Sequence, residues 1–163
     1  MINLLTRKAI AIAAAAGIGI LVGVATITAL AQSNDAKRAS ATTHKIAIQV
    51  NQNDKAVMDL ALNNAKNVID YYKSKGEKVA VEIVTYGPGL HMLRADTSPV
   101  KDRIAVMSLE NTNVTFAACG NTQANQSKAE NKPVVLISEA KVTPSGVVRL
   151  MELQQQGYAY LRP

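Results

Sequence analysis

Cys119 is the single cysteine of the 163-residue chain. It directly follows Val114–Ala118 (VTFAA), a β-branched and aromatic run that reads as a strand, and it precedes Gly120-Asn121-Thr122. If Asn121-Thr122 opens a helix, its free N–H groups and positive dipole end lower the thiol pKa and favour the nucleophilic thiolate. The alternative is an inert thiol packed at a strand end, since Cys is among the most buried residue types. His91, two residues past a tight turn, can serve Cys119 as base or as imidazolium partner. It reads equally well as a surface or capping histidine. His44, at the start of a strand, reads as solvated, and no third group that would complete a catalytic triad is identifiable.

Two glycine-bearing turns accompany the cysteine. Tyr86-Gly87-Pro88-Gly89 lets backbone approach a ligand closely, although a plain tight turn explains it as well. It is neither a Walker A loop nor a G-x-G-x-x-G fingerprint, so it does not argue for a nucleotide. Thr143-Pro144-Ser145-Gly146 opens the last long helix, whose N–H groups suit an anion such as sulfite, thiosulfate or a persulfide. Helix capping by the same residues is the plainer explanation. One Cys and two His exclude an intramolecular disulfide and a four-ligand Cys/His zinc site, and no metal or cofactor is expected.

These residues need elements to hold them. His44–Val50 (HKIAIQV) alternates, with Ile46, Ile48 and Val50 on one face, and reads as a strand. Asn53 and Asp54 can cap a helix over Lys55–Lys75, with Val57, Ala61, Ala65, Val68 and Tyr72 as its apolar side and Gly76 closing it. Lys78–Thr85 is a second strand, and Leu90–Arg94 reads as one helical turn. Ser98-Pro99 reads as a helix start, with Val100, Ile104 and Met107 facing inward. Val114–Ala118 is the third strand, and residues 121–132 are polar and partly helical. The fourth strand is either Val134–Ile137 or Lys141–Thr143. Pro144 starts the last helix, with Val147, Val148, Leu150, Met151 and Leu153 as its buried side, and Tyr158–Leu161 is a final strand. Alternating strands and helices of crossover length make one α/β domain around a mainly parallel sheet. In such sheets ligand sites gather at the carboxyl ends of strands, where Cys119 and both glycine turns fall.

The charge of +6 divides. Residues 1–31 carry only Arg7 and Lys8, which leaves 16 of the 18 bases against all 12 acids in the remainder. Arg7 and Lys8 precede an apolar run, Ala9–Ala31, that ends in Ala29-Leu30-Ala31, an A-x-A cleavage pattern. Residues 1–31 are therefore expected to be a signal peptide, residues 32–43 a polar linker and residues 44–163 the domain, located in the periplasm. The run is also long enough to span a bilayer as an uncleaved inner-membrane anchor, the only case in which a membrane is involved. The bases Lys66, Lys73, Lys75, Lys78, Arg94, Lys101, Arg103, Lys128 and Lys132 are dispersed among acids without aromatic stacking platforms. They read as solvated surface, and no nucleic-acid partner is expected.

The segments VTYGPGLHML (Val84–Leu93), VTFAACGNT (Val114–Thr122) and TPSGVVRLMELQQQGYAYLRP (Thr143–Pro163) resemble, in this order, the DsrE/DsrF-like sulfur-relay family, and in particular its small exported members. The resemblance covers residues 44–163. It implies a three-layer α/β/α sandwich with a mainly parallel five-stranded sheet, and a homo-oligomer, trimer or hexamer. It also implies a cysteine that carries sulfur as a persulfide between a donor and an acceptor protein. Cys119 matches the family's cysteine after the third strand. Tyr86, Gly87, Pro88, Gly89, His91, Asn121 and Thr122 match motif positions around the expected pocket without individual roles. The departure is the export segment: the family's relay proteins hand sulfur to cytoplasmic partners. An exported member is expected to carry a sulfur species in the periplasm, or to keep the fold as a non-catalytic module binding a small anion or a partner protein.

Overall fold

The computed structural model describes residues 43–163. The proposed export segment 1–31 and linker residues 32–42 lie outside the described residues. Thr43, assigned to the linker on sequence, is the first residue of strand β1, Thr43–Val50. Helix α1, Lys55–Ser74, starts where the Asp54 side chain accepts the Ala56 N–H at 2.7 Å. It ends where Gly76 takes a φ of +69°, a left-handed conformation that favours glycine. Met58, Ala61, Leu62, Ala65 and Ile69 form its buried stripe, while Val68 and Tyr72 pack at the edge of the core.

Strand β2, Lys78–Thr85, runs into a 3₁₀ helix over Gly87–Leu93, longer than the single turn expected. Gly89 is required there, because a Cβ at that position would overlap the Val50 carbonyl. Helix α2 spans Lys101–Glu110 and buries Ile104 and Met107, with Val100 beneath its first turn. It does not begin at Ser98-Pro99. The Ser98 hydroxyl donates to the Met92 carbonyl of the 3₁₀ helix at 2.6 Å and accepts the Val100 N–H at 3.4 Å, so it joins that helix to the turn ahead of α2.

Strand β3, Val114–Cys119, leads without a break into helix α3, Gly120–Ala129. Strand β4 is Ala140–Thr143, the second of the two options. The first, Val134–Ile137, contributes only a bridge between Leu136 and Arg94, with Ala95 N–H donating to Val135 O and Ile137 N–H to Leu93 O. Helix α4, Gly146–Gln155, has Ser145 as its N-cap, so Pro144 lies outside it. Strand β5, Ala159–Leu161, ends the sheet.

The five strands lie in the order β4-β3-β2-β1-β5, and every pairing is parallel. From β1 to β4 the chain steps in one direction. Right-handed crossovers then place α1, the 3₁₀ helix, α2 and α3 on one face. The return from β4 to β5 crosses the sheet the other way and puts α4 alone on the opposite face among the described residues. The main core lies on the first face, around Ile48, Ile83, Phe116, Leu90 and Leu93. The second, smaller core joins Ala47, Val84 and Ala117 to Leu150 and Leu153 of α4. The two faces make the domain a three-layer α/β/α sandwich.

Val147, Val148 and Met151, expected on the buried side of α4, are instead about half exposed. A ten-residue helix has one line of closest approach to a sheet, and Gly146, Leu150 and Leu153 occupy it. Arg94, counted among the solvated bases, is also reassigned: it is 1% exposed.

Candidate functional site

β3 leads to a helix on one face of the sheet and β4 to a helix on the other. Their adjacent carboxyl ends therefore form the topological switch point, the place where open α/β sheets open a crevice. Cys119 ends β3 and pairs in register with Thr143, which ends β4. The first turns of α3 and α4 therefore both start beside the thiol. Close packing at this junction depends on glycine twice. A Cβ on Gly120 would lie 3.2 Å from the Thr143 carbonyl. A Cβ on Gly146 would lie 3.0 Å from Tyr86 Cβ and 3.3 Å from Cys119 Cβ.

Cys119 is 5% exposed, and this burial pushes its thiol pKa up. The opposing interactions prevail, and the pKa falls below its ordinary value. The Thr122 hydroxyl and the N–H groups of Gly146, Thr122 and Asn121 favour the sulfur's anion, although the Asn121 N–H is itself donated to the Pro144 carbonyl at 3.2 Å. Two of those N–H groups come from the first turn of α3 and one from the first residue of α4. The thiol thus sits between two positive helix ends. Thr122 also ties in the glycine turn: its Oγ1 accepts the Gly87 N–H at 3.0 Å. Gln126 donates to the Gly87 carbonyl at 3.2 Å from the next turn of α3. Gly87 itself adopts a φ of +53°.

The junction therefore gathers Cys119, Tyr86, Gly87, Asn121, Thr122, Ser145 and Gly146. Pro88 is exposed in the 3₁₀ helix, and Gly89 is buried against the end of β1. His91 is engaged elsewhere. Its Nδ1 is 2.8 Å from Thr97 Oγ1, and the groups acting on the Cys119 sulfur are a hydroxyl and backbone amides rather than an imidazole. His44, read as solvated, is partly buried: its ring stacks on Tyr72 with centroids 3.7 Å apart and bonds Glu77 at 2.5 Å.

Three buried polar groups around the site were not singled out on sequence. Glu82 of β2 receives a bidentate ion pair from Arg149 of α4, at 2.6 and 2.7 Å, which pins that helix to the sheet. Arg94 donates to both Asp96 and Glu130 and clamps the 3₁₀ helix to the far end of α3. The pair holds the Asp96 carboxyl well below the usual carboxylate range and lowers that of Glu130. Gln49 of β1, 7% exposed, bonds both Tyr86 and Tyr160. The one available signal was a charged or amide residue inside each apolar strand, at Glu82 and Gln49. Among the described residues, no cluster of three or more His, Cys, Asp or Glu side chains could hold a metal ion.

A parallel sheet with a buried thiol of lowered pKa at its switch point defines an α/β domain built around one ionisable cysteine. The DsrE/DsrF-like family matches residues 27–163, and the chain belongs to this family, which is implicated in sulfur relay. Among solved structures it is similar to the protein of unknown function MTH1491 from Methanobacterium thermoautotrophicum. The two are 28% identical with a TM-score of 0.59, over 74% of this chain and 99% of that one. No curated protein matches the chain.

Proposed function

We propose that this protein is a sulfur carrier in which Cys119 holds sulfane sulfur as a persulfide. The observation that supports it is the place of Cys119 where the starts of two helices meet, with the Thr122 hydroxyl and backbone amides of both helix starts favouring its anion. Such donors favour the thiolate, which attacks, and suit the persulfide anion that results. With thiosulfate as donor, the thiolate attacks the outer sulfur, a new S–S bond forms, the S–S bond of thiosulfate breaks, and sulfite leaves with its electron pair. Transfer onward is the same exchange, with an acceptor thiolate attacking the persulfide's terminal sulfur. His91, bonded to Thr97, is not required for either step.

Treating the protein with polysulfide or thiosulfate and measuring its intact mass tests this reading. A gain of sulfur that dithiothreitol reverses and that Cys119→Ser abolishes supports it. No gain, or an equal gain in Cys119→Ser, removes it.

The burial of Cys119 favours a second reading, a non-catalytic module that binds a small anion or a partner protein at the same junction. It requires slow reaction with thiol reagents at neutral pH, and ligand-induced stabilisation that survives Cys119→Ala.

Export to the periplasm belongs to the same proposal, on the strength of Arg7, Lys8, the apolar run and Ala29-Leu30-Ala31. The N-terminal residue of protein recovered from cells checks it: Gln32 supports cleavage, and an intact Met1 supports the anchor. Homo-oligomerisation is proposed on the outward stripe of Val147, Val148 and Met151, which one chain leaves uncovered. Light scattering of wild type and Met151→Asp tests it. An oligomer that dissociates in the variant supports it, and a monomeric wild type ends it.

A further inference from the structure

Tyr86 is the immediate neighbour of Cys119 across the sheet. Thr85 pairs with Ala118, so the next residues of β2 and β3 stand side by side, and the Tyr86 N–H still donates to Val50 O at 3.3 Å. Both side chains lie on the face that carries α4, and a single point at Gly146 is within 3.3 Å of the Cβ atoms of both. A tyrosine at the end of a strand, before a glycine of positive φ, has nothing local to fix its side chain. Here the fixing comes from two strands away. Tyr160 of β5 donates its hydroxyl proton to Gln49 Oε1, and Gln49 Nε2 donates to the Tyr86 hydroxyl oxygen at 2.6 Å. The amide oxygen can only accept and the amide nitrogen only donate, so one side chain serves both phenols in a directed row. That row crosses β5, β1 and β2 and ends with the Tyr86 ring at the thiol.

We propose that Gln49 is a positioning residue: it bridges Tyr160 and Tyr86, holds the Tyr86 ring as the side wall of the Cys119 site, and so sets the girth of the sulfur donor that reaches the thiol. This rests on Cys119 being the reacting group. Loss of the bridge frees the ring to turn away, and the opening widens on that side. Gln49→Glu keeps the bridge, because a carboxylate accepts from both phenol hydroxyls.

The test compares two disulfide-forming reagents at a pH above the titration of the thiol, so that rates report access. With methyl methanethiosulfonate, the thiolate attacks the methylthio sulfur and methanesulfinate leaves. With the bulky aromatic disulfide dithionitrobenzoate, the same attack releases a coloured thiolate. Gln49→Leu is expected to raise the aromatic-to-methyl rate ratio about tenfold, the scale on which pocket shape discriminates between substrates. Gln49→Glu is expected to keep the wild-type ratio. Tyr160→Phe, at a half-exposed position, is expected to shift the ratio in the same direction by less, and it serves if Gln49→Leu does not fold. A purely structural role for Gln49 lowers Tm and leaves the ratio alone. A wild-type thiol inert to both reagents overturns the functional reading and this one with it. A reactive thiol whose ratio ignores both Gln49→Leu and Tyr160→Phe overturns this one alone.

Discussion

Thr122 does two things with one hydroxyl. Its oxygen takes the Gly87 N–H at 3.0 Å, and the same hydroxyl favours the Cys119 anion, so it links the thiolate to the glycine turn. A hydrogen bond to a charged group is worth roughly 1.5 kcal/mol, so Thr122→Ala is expected to raise the Cys119 pKa and slow alkylation at neutral pH about tenfold. Thr122→Ser, which keeps the hydroxyl, is expected to restore most of that rate. The pH profile of iodoacetamide alkylation measures both. The cysteine and its two polar neighbours were legible in the sequence because they follow one another along the chain. Gly146 was legible as a helix start but not as a neighbour of Cys119. The contact spans a strand, a helix and a loop, and no spacing rule encodes it.

Helix α4 has to be placed accurately, since its first residue supplies one of the amides at the thiol. Apolar packing through Leu150 and Leu153 lets a helix slide, whereas the Arg149–Glu82 pair has directional bonds and does not. Arg149→Met leaves the nearly buried Glu82 carboxylate without a partner. It is expected to cost about 3 kcal/mol, read as a lower denaturation midpoint at unchanged m. The same variant should slow Cys119 alkylation at neutral pH, because the Gly146 amide loses its fixed place. At this scale β1, β2, β3 and α1 follow from local pattern and caps. The fourth strand does not, since Val134–Ile137 and Ala140–Thr143 are both short and apolar enough. Pairing with β3 selects the second.

Acid sensitivity is a property of the whole domain, and Arg94 dominates the local part of it. The guanidinium beside Asp96 and Glu130 depresses both carboxyl pKa values in the folded protein. A depressed carboxyl pKa contributes stability that is present above the unfolded value, near about 4, and is lost as pH falls through the folded value. Wild type is therefore expected to lose Tm steeply as pH falls below the ordinary carboxylate range. Arg94→Met is expected to have a lower Tm at neutral pH, with the gap to wild type closing in acid. A thermal melt series across pH measures it, and a constant gap would remove the assignment. Arg94 escaped the sequence reading because it stands in a polar stretch, Arg94-Ala95-Asp96, typical of solvent-facing loops. Its burial comes from the Leu136 bridge and from Glu130 at the end of α3, more than thirty residues on.

The sequence alone determines the first three strands and the first helix, the parallel α/β class, and the position of Cys119 at a strand end. All of these rest on neighbours a few residues apart, where backbone preference, period and capping act. Only the tertiary structure decides that the neighbouring strand ends of β3 and β4 send their helices to opposite faces. It alone brings α3 and α4 to either side of one sulfur, turns His91 to Thr97, and leaves Val147, Val148 and Met151 outward. The physical reason is that strand order and crossover direction are set by which hydrophobic faces can be buried together. That choice is made by the whole chain at once, and no single segment carries it.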